Sequence, residues 1–435
     1  MYANKKCASN SKGLFLAKSK RSKVLATGFI NKRKVLNDPV YGFISIPDRL
    51  IFDLIEHSYF QRLRRISQLG LSSMVYPGAH HHRFHHALGA THLMTLALDN
   101  LEARGHAISQ EERLAATAAI LLHDVGHGPY SHALEHDLLK GIDHEEISLL
   151  FMQKLNKELG GELDLCIEIF TKKYHRKFFS QLVSSQLDVD RLDYLKRDSF
   201  YTGVSEGVVG SQRILKMLDL HNDELVVEEK GVYSIEDFLV ARRLMYWQVY
   251  LHKTVVAAEY LLISIIRRAK DLSSAGVQLF ASPALNYFLQ NDATRASFFD
   301  SDEGLYHFSR LDDYDVMGAI KVWVDHEDKV LSELSAMMVD RRLPKIRITK
   351  TQASGEEITQ HRKSVAKAMD ISESESEYFV LSGKLSNSAY DREDETIRIR
   401  FKDGSLKDVT EASDNFNLSA LSNPVEKYFL MVPRS

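Results

Sequence analysis

The sequence predicts a mainly α-helical protein, a long helical body followed by a small α+β unit at the C-terminus. Three observations carry that expectation. Between Ile51 and Leu272 apolar residues recur mainly at three- and four-residue spacing, the period of an amphipathic helix. After Leu343-Pro344 the texture changes to short alternating runs, KIRITK at Lys345–Lys350 and TIRIRF at Thr396–Phe401, which read as strands. The composition is globular: of 435 residues, 44% are hydrophobic and 26% charged, enough apolar material for a sizeable core and too much for wholesale disorder. The balance of 56 basic and 59 acidic residues, net −3, points to neither a nucleic-acid nor a membrane partner.

In chain order, residues 1–33 read as a basic N-terminal arm, 34–343 as the helical body and 344–435 as the α+β unit. Residues 1–37 carry ten Lys/Arg and no acidic side chain, the pattern of a solvated tail or a phosphate-binding arm. Helices are predicted over 87–101, 111–123, 144–158, 180–200 and 236–268, with helical character again through 276–340. Glu224–Ile235 reads as a hairpin turning at Lys230-Gly231. In the C-terminal unit, Tyr378–Leu381 reads as a strand, Glu357–Met369 as a helix, and Ser372–Glu377 as a polar connection. Two cysteines, Cys7 and Cys166, are too few for a disulfide framework or a Cys-rich zinc site. The longest apolar stretches, Ala115–Leu122 and Val255–Ile266, are too short or interrupted by Glu259 to span a bilayer. The N-terminus has no uninterrupted apolar region of signal-peptide type, so a soluble, cytoplasmic protein is expected.

Histidine is out of line: 12 of the 19 histidines fall between His80 and His144, a density that asks for metal or acid–base chemistry. If a helix follows Arg83, then His86, Ala90, Leu93 and Ala97 share one face, and His86 points inward. Alone, it reads as a core histidine bonded to a carbonyl. The apolar helix Leu114–Leu122 runs into His123-Asp124, and Gly126, Gly128 and Pro129 end it. Adjacent imidazole and carboxylate groups at a buried helix end need a partner, and a divalent cation suits both. Asp190, Tyr194 and Asp198 recur at four-residue intervals with Arg191 alongside, giving one polar helix face, a spacing common in itself.

Together these residues spell H…HD…D, and here the sequence resembles the HD-domain phosphohydrolases, within them the deoxynucleoside triphosphate triphosphohydrolases. The resemblance covers roughly residues 34–265 in seven ordered blocks: NDPVYGFI (Asn37–Ile44), FQRLRRISQLG (Phe60–Gly70), YPGAHHHRFHHALG (Tyr76–Gly89), HDVGHGPYSH (His123–His132), DHEE (Asp143–Glu146), DVDRLDYLKRD (Asp188–Asp198) and YLHK (Tyr250–Lys253). It implies that His86, His123, Asp124 and Asp190 hold one divalent metal ion (Mg, Mn, Fe or Zn). The implied reaction is hydrolysis of deoxynucleoside triphosphates to deoxynucleoside and inorganic triphosphate. His132 and His144, with Glu145 as orienting carboxylate, match acid–base positions, and His127 a phosphate-contacting one; support of the metal ligands is the other reading of His127 and His132.

Arg83 and Arg191 match phosphate-binding positions, and Gln68 and Leu69 line the implied sugar pocket. Tyr194 and Asp198 look like the pair that reads the deoxyribose, and Arg242 and Tyr250 align with positions contacting the γ-phosphate and the sugar or base. A surface arginine is the plainer reading of Arg242. One departure stands out: where the family commonly has RFEH, this chain has Arg83-Phe84-His85-His86.

Some family members are activated by nucleotides bound between subunits. Lys34, Val35 and Asn37, Gln61 and Arg64, and Glu56 in place of an aspartate resemble that site, although Asn37-Asp38-Pro39 also reads as a plain turn. A homo-oligomer, dimer or tetramer, is implied by the resemblance alone. The competing readings are a phosphohydrolase of another nucleotide or phosphoester, and a non-catalytic nucleic-acid-binding protein of the same fold.

Overall fold

The computed structural model describes residues 34–46, 48–130, 133–135, 139, 141–291, 295–299, 302–391, 396–414 and 422–434. The basic arm, residues 1–33, lies outside them. The described chain opens with an antiparallel hairpin, β1 (Lys34–Asp38) and β2 (Gly42–Ile46), paired from Lys34↔Ile46 to Asp38↔Gly42. Helix α1 (Arg49–Glu56) follows, capped by the Asp48 carboxylate, which accepts from the Leu50 amide at 2.7 Å.

Three helices build the centre. Helix α2 (Arg83–Ala103) packs on both α3 (Gln110–Leu122) and, from later in the chain, the helix that begins at Val189. It is therefore buried on several faces and shows no narrow apolar stripe. Ser109 and Glu112 cap α3 reciprocally, a capping box. Helix α4 (His144–Glu158) covers the end of α3.

The helix predicted over 180–200 is two: α5 (Lys177–Val183) and α6 (Val189–Thr202). Asp188 breaks it by capping α6, accepting from the Arg191 amide at 2.7 Å and the Ser185 amide at 2.8 Å. The hairpin also needs correction. Its strands are β3 (Leu218–His221) and β4 (Glu224–Glu228), and the turn is Asn222-Asp223, at φ 52° and 57°, a left-handed conformation these residues tolerate. Lys230-Gly231 instead leads into α7 (Val232–Met245). The helix predicted through 268 breaks as well: after α7 comes a π turn, Tyr246–Tyr250, and α8 (Lys253–Ser274) starts afresh on a cap from His252.

Helices α9 (Pro283–Gln290), α10 (Asp313–Trp323) and α11 (Lys329–Val339) complete the body. The C-terminal stretch supplies β5 (Lys345–Thr349), α12 (Gly355–Met369), β6 (Leu381–Asn387), β7 (Arg398–Arg400), β8 (Leu406–Asp408) and β9 (Val425–Val432). Tyr378 ends a 3-10 turn, Glu375–Tyr378, and the strand starts only at Leu381. Strands β5, β9 and β6 form one sheet, which packs Leu385, Phe429 and Met431 against Val256 and Ala257 of α8. Strand β7 instead lies parallel to β4, Val227 opposite Ile399, in the sheet β3-β4-β7-β8. Most buried apolar residues belong to one core that includes Phe60, Phe151, Phe238 and Trp323. The chain is thus mainly helical with a sheet-containing C-terminal part. Among the described residues no single helix is long and apolar enough to cross a membrane.

Candidate active site

Three helix ends meet beside the core. His86 lies in the first turn of α2, His123 caps the C-terminus of α3, and Asp190 lies in the first turn of α6. The N-terminal partial positive charge of α6 favours a carboxylate there. His86, His123 and Asp190 each offer a ligand atom within 4.8 Å of the others. His86 Nε2 stands 3.0 Å and His123 Nε2 3.5 Å from the same Asp190 oxygen. Asp124 joins them, its Oδ1 3.2 Å from His123 Nε2 and its Oδ2 3.8 Å from His86 Nε2.

Each imidazole is held by its other nitrogen. His123 Nδ1 donates to the Ile120 carbonyl at 2.6 Å, and His86 Nδ1 donates to the Asp193 carboxylate at 2.8 Å. Both assignments follow from partners that only accept. In the neutral rings Nε2 therefore carries the lone pair. These two buried Nε2 atoms have no hydrogen-bond partner in proper geometry, the arrangement expected of metal ligands. The electrostatics agree. Burial opposes charge on His86, but Asp190 and Asp193 outweigh it and push the ring up to about 10. His123 is likewise raised against burial by Asp124 and Asp190. Burial would raise Asp190, yet the two histidines hold it far below the usual carboxylate range. A nest of buried carboxylates that draws protons onto its histidines is one that a divalent cation fits.

A second set adjoins the first. Asp124, His127 and His144 also bring one ligand atom each within 4.8 Å. The His127 and His144 rings stack with centroids 3.8 Å apart. Burial and the nearby Arg83 keep His127 neutral, well below its ordinary value. Arg83 is ion-paired with Asp124. Gly126 lets α4 approach, since a Cβ there would collide with the His144 carbonyl and the Ser148 amide.

Beyond His86 stands an aromatic wall. The Tyr194 ring lies 6.5 Å from His86 and 6.2 Å from Tyr250. The Tyr250 hydroxyl donates to Asp198 at 2.8 Å, and His81 bonds the other Asp198 oxygen at 2.7 Å. Asp198 is 1% exposed, so the polar face read from the 190/194/198 spacing turns inward rather than to solvent. Gln68 joins the wall through its backbone, which donates to the His81 carbonyl, while its side-chain Oε1 is buried without a bond; Leu69 beside it is half-buried.

Other expected residues stand apart or are already engaged. Arg191 is paired with Asp188, and Arg242 is buried and donates to Gln186 at 3.1 Å, so Arg242 is not a surface arginine. Glu145 does not orient His144: Nδ1 of that ring is bonded at 2.7 Å to Glu135, and Glu145 is exposed. A helical His144 points its ring back toward the preceding segment, out of reach of the residue that follows it. His132 lies outside the described residues. His85 explains the departure from RFEH: its Nδ1 accepts from the His82 amide at 3.1 Å, the N-terminal capping task a glutamate performs at that position. On the outer surface Lys34 meets Glu56 at 3.9 Å, Gln61 accepts from Arg64 at 2.8 Å, and Arg64 lies over the Phe84 ring. Val35 is exposed and Asn37 pairs with Phe43 in the hairpin.

Sequence reasoning missed Asp193, Arg197, Asp38, His81 and Glu135. Asp193 and Arg197 had a signal in their i,i+4 spacing; Glu135 and His81 had none, because their partners are distant in sequence or set by loop geometry.

A fold of packed helices whose ends deliver His, His-Asp and Asp to one buried point defines a metal-dependent phosphohydrolase. The HD domain model matches residues 83–198 and the HD associated region 209–281. The chain is 36% identical over 323 residues to the uncharacterised protein YwfO of Bacillus subtilis, covering 73% of this chain and 72% of that one. It is 30% identical over 293 residues to the Dictyostelium discoideum homologue of the deoxynucleoside triphosphate triphosphohydrolase SAMHD1, covering 62% of this chain and 57% of that protein. A solved phosphohydrolase from Bacteroides thetaiotaomicron superposes with a TM-score of 0.90 at 52% identity, over 93% of this chain and all of that one. The chain belongs to the HD-domain phosphohydrolase family.

Proposed function

We propose that this protein hydrolyses deoxynucleoside triphosphates to deoxynucleoside and inorganic triphosphate, with one divalent metal held by His86, His123, Asp124 and Asp190. The observation that carries the reading is the junction of that ligand set with the wall of Tyr194, Tyr250 and Asp198. A ribose 2′-hydroxyl set against the Tyr194 ring would have an apolar face and no partner, which disfavours ribonucleotides. Asp198 already accepts two bonds, and a carboxylate has room to accept a 3′-hydroxyl as well. When bound, the cation polarises a phosphoryl oxygen and makes water more acidic.

The chain's own residues supply the rest. Arg83, locked to Asp124, brings a fixed positive charge to the α-phosphate, and Arg191, Arg242 and the neutral His127 serve the outer phosphates. Water adds to the α-phosphorus, the bond from phosphorus to the 5′-oxygen breaks, and that oxygen takes a proton. His144, backed by Glu135, is the donor this reading assigns, with His132 as its partner. General acid help of this kind is worth about 10²–10⁴ in rate.

The reading includes activation by a nucleotide at Lys34, Val35, Asn37, Glu56, Gln61 and Arg64, between subunits of a homo-oligomer. Apolar Val35 and Phe43, 49% and 73% exposed on the same hairpin, support a surface that another subunit covers.

Anion-exchange analysis of products tests the reaction. Purified protein with Mg²⁺ or Mn²⁺ and a mixture of deoxynucleoside triphosphates should release deoxynucleoside and intact triphosphate, and an Asp190→Ala protein should not. Monophosphate with pyrophosphate would keep the metal centre and overturn the bond assignment. No turnover of these substrates would move the reading to another phosphoester.

A further inference from the structure

A line of buried charges runs from the metal ligand His86 to the N-terminal hairpin. His86 Nδ1 donates to Asp193 Oδ2 at 2.8 Å. Arg197 grips that carboxylate with two bonds, Nε to Oδ2 at 2.9 Å and Nη2 to Oδ1 at 3.0 Å. The same guanidinium donates through Nη1 to Asp38 Oδ2 at 2.7 Å, with Nη2 at 3.4 Å from Oδ1. Asp38 ends β1, and its Oδ1 accepts from the Val40 and Tyr41 amides at 2.9 Å each, closing the hairpin turn. His86, Asp193 and Arg197 are fully buried and Asp38 is 7% exposed. Space for the line is made at Gly89, where a Cβ would collide with Asp193 Oδ1 and Arg197 Nη2.

A buried charge cluster is seldom a gain in stability over apolar side chains of the same shape. What it does provide is a fixed geometry, because each member satisfies its neighbour and none can shift alone. We infer that Asp193, Arg197 and Asp38 are positioning residues that fix the tautomer and aim of His86, and that through them docking of the hairpin and metal affinity are thermodynamically coupled. The inference rests on the reading of His86 as a metal ligand. It gives the hairpin, which carries Lys34, Val35 and Asn37, a physical connection to the active site: anything that shifts β1 acts on Asp38, then Arg197, then Asp193. Coupling of this kind is reciprocal, so metal binding must also tighten the hairpin turn.

Co²⁺ titration of the full-length protein, followed by its visible absorption, reads the coupling without turnover. Asp193→Asn should weaken Co²⁺ binding by about 10–100-fold. Asp38→Asn, which keeps the Oδ1 acceptor of the turn but loses the charge facing Arg197, should weaken it by roughly 3–30-fold. The double variant should fall short of the product of the two effects. Asp38→Asn with wild-type affinity, or two effects that simply multiply, would overturn the coupling. Wild-type protein supplies a readout if a variant does not fold: hydrogen exchange at the Val40 and Tyr41 amides should slow when Co²⁺ is added, and equal rates with and without metal would also overturn it. Failure of the wild-type protein to bind Co²⁺ at all would instead remove the metal-ligand reading on which the inference rests.

Discussion

Where His86, His123, Asp124 and Asp190 converge, each histidine is held from behind, by Asp193 for His86 and by the Ile120 carbonyl for His123. On the hairpin side of the molecule, Lys34 reaches Glu56 at 3.9 Å with half of each side chain in solvent. The first arrangement is fixed before any ligand arrives, and the second is adaptable. Exposed pairs of the second kind contribute little to stability, whereas buried groups anchored by a hydrogen bond from behind fix geometry to the precision that catalysis requires. The contrast is between a preorganised buried cluster and an adaptable surface.

The sharpest way to break the contrast is at the ligands. Asp190→Ala should abolish metal retention, measured by elemental analysis, and lower turnover by about 10³-fold or more, since a bound cation supplies several kcal/mol at the transition state. Retained metal and activity would show that the centre is not where these side chains converge. One step out, Glu135→Gln should lower kcat by about 10–100-fold with metal content unchanged, because it loosens His144 and leaves His86, His123 and Asp190 in place. A fall in metal content instead would make His144 part of the metal-holding set.

Gly89→Ala pushes a methyl group into Asp193 and Arg197 and should destabilise the fold by about 1–3 kcal/mol, measured by denaturant unfolding. The pH response separates apoprotein from metal-loaded protein. His86 is raised from its ordinary 6.5 to about 10, so its charge stabilises the apoprotein fully below pH 6.5, and this contribution is lost as pH rises toward 10. Metal binding displaces the proton, so affinity should increase over the same range. A melting temperature of the apoprotein that is flat across that window would contradict the charge assigned to His86. The smallest expected effect is at the surface: Glu56→Gln should change stability by no more than about 0.5 kcal/mol, yet alter the response of activity to added nucleotides.

What was legible in the sequence follows the range of the interactions. Helices α2, α3 and α4 were visible because apolar spacing is local. His86 and His123-Asp124 were legible because each lies near a helix end that the sequence itself marks, whereas Asp190 stood inside the helix predicted over 180–200 and was reached through the resemblance. The breaks at Asp188 and His252 were not, since each is a side-chain cap inside an otherwise continuous apolar pattern. The resemblance implied Glu145 as the carboxylate behind His144, where the fold instead brings in Glu135 from the preceding loop. The line from Asp38 to His86 depends on contacts between residues 159 and 107 positions apart, and no local pattern reports those two links.

The parallel pairing of β7 with β4 has a consequence in time. Val227 meets Ile399, so β4 must wait for roughly 170 residues to be synthesised, roughly 10–30 s at ribosomal rates. During that interval its outer edge is an unpaired strand ending next to apolar Val226 and Val227, the kind of edge that recruits other chains. Until β7 emerges, a nascent chain of this protein therefore exposes an edge that the folded molecule conceals, and it is β7, rather than completion of the helices that carry His86, His123 and Asp190, that covers it.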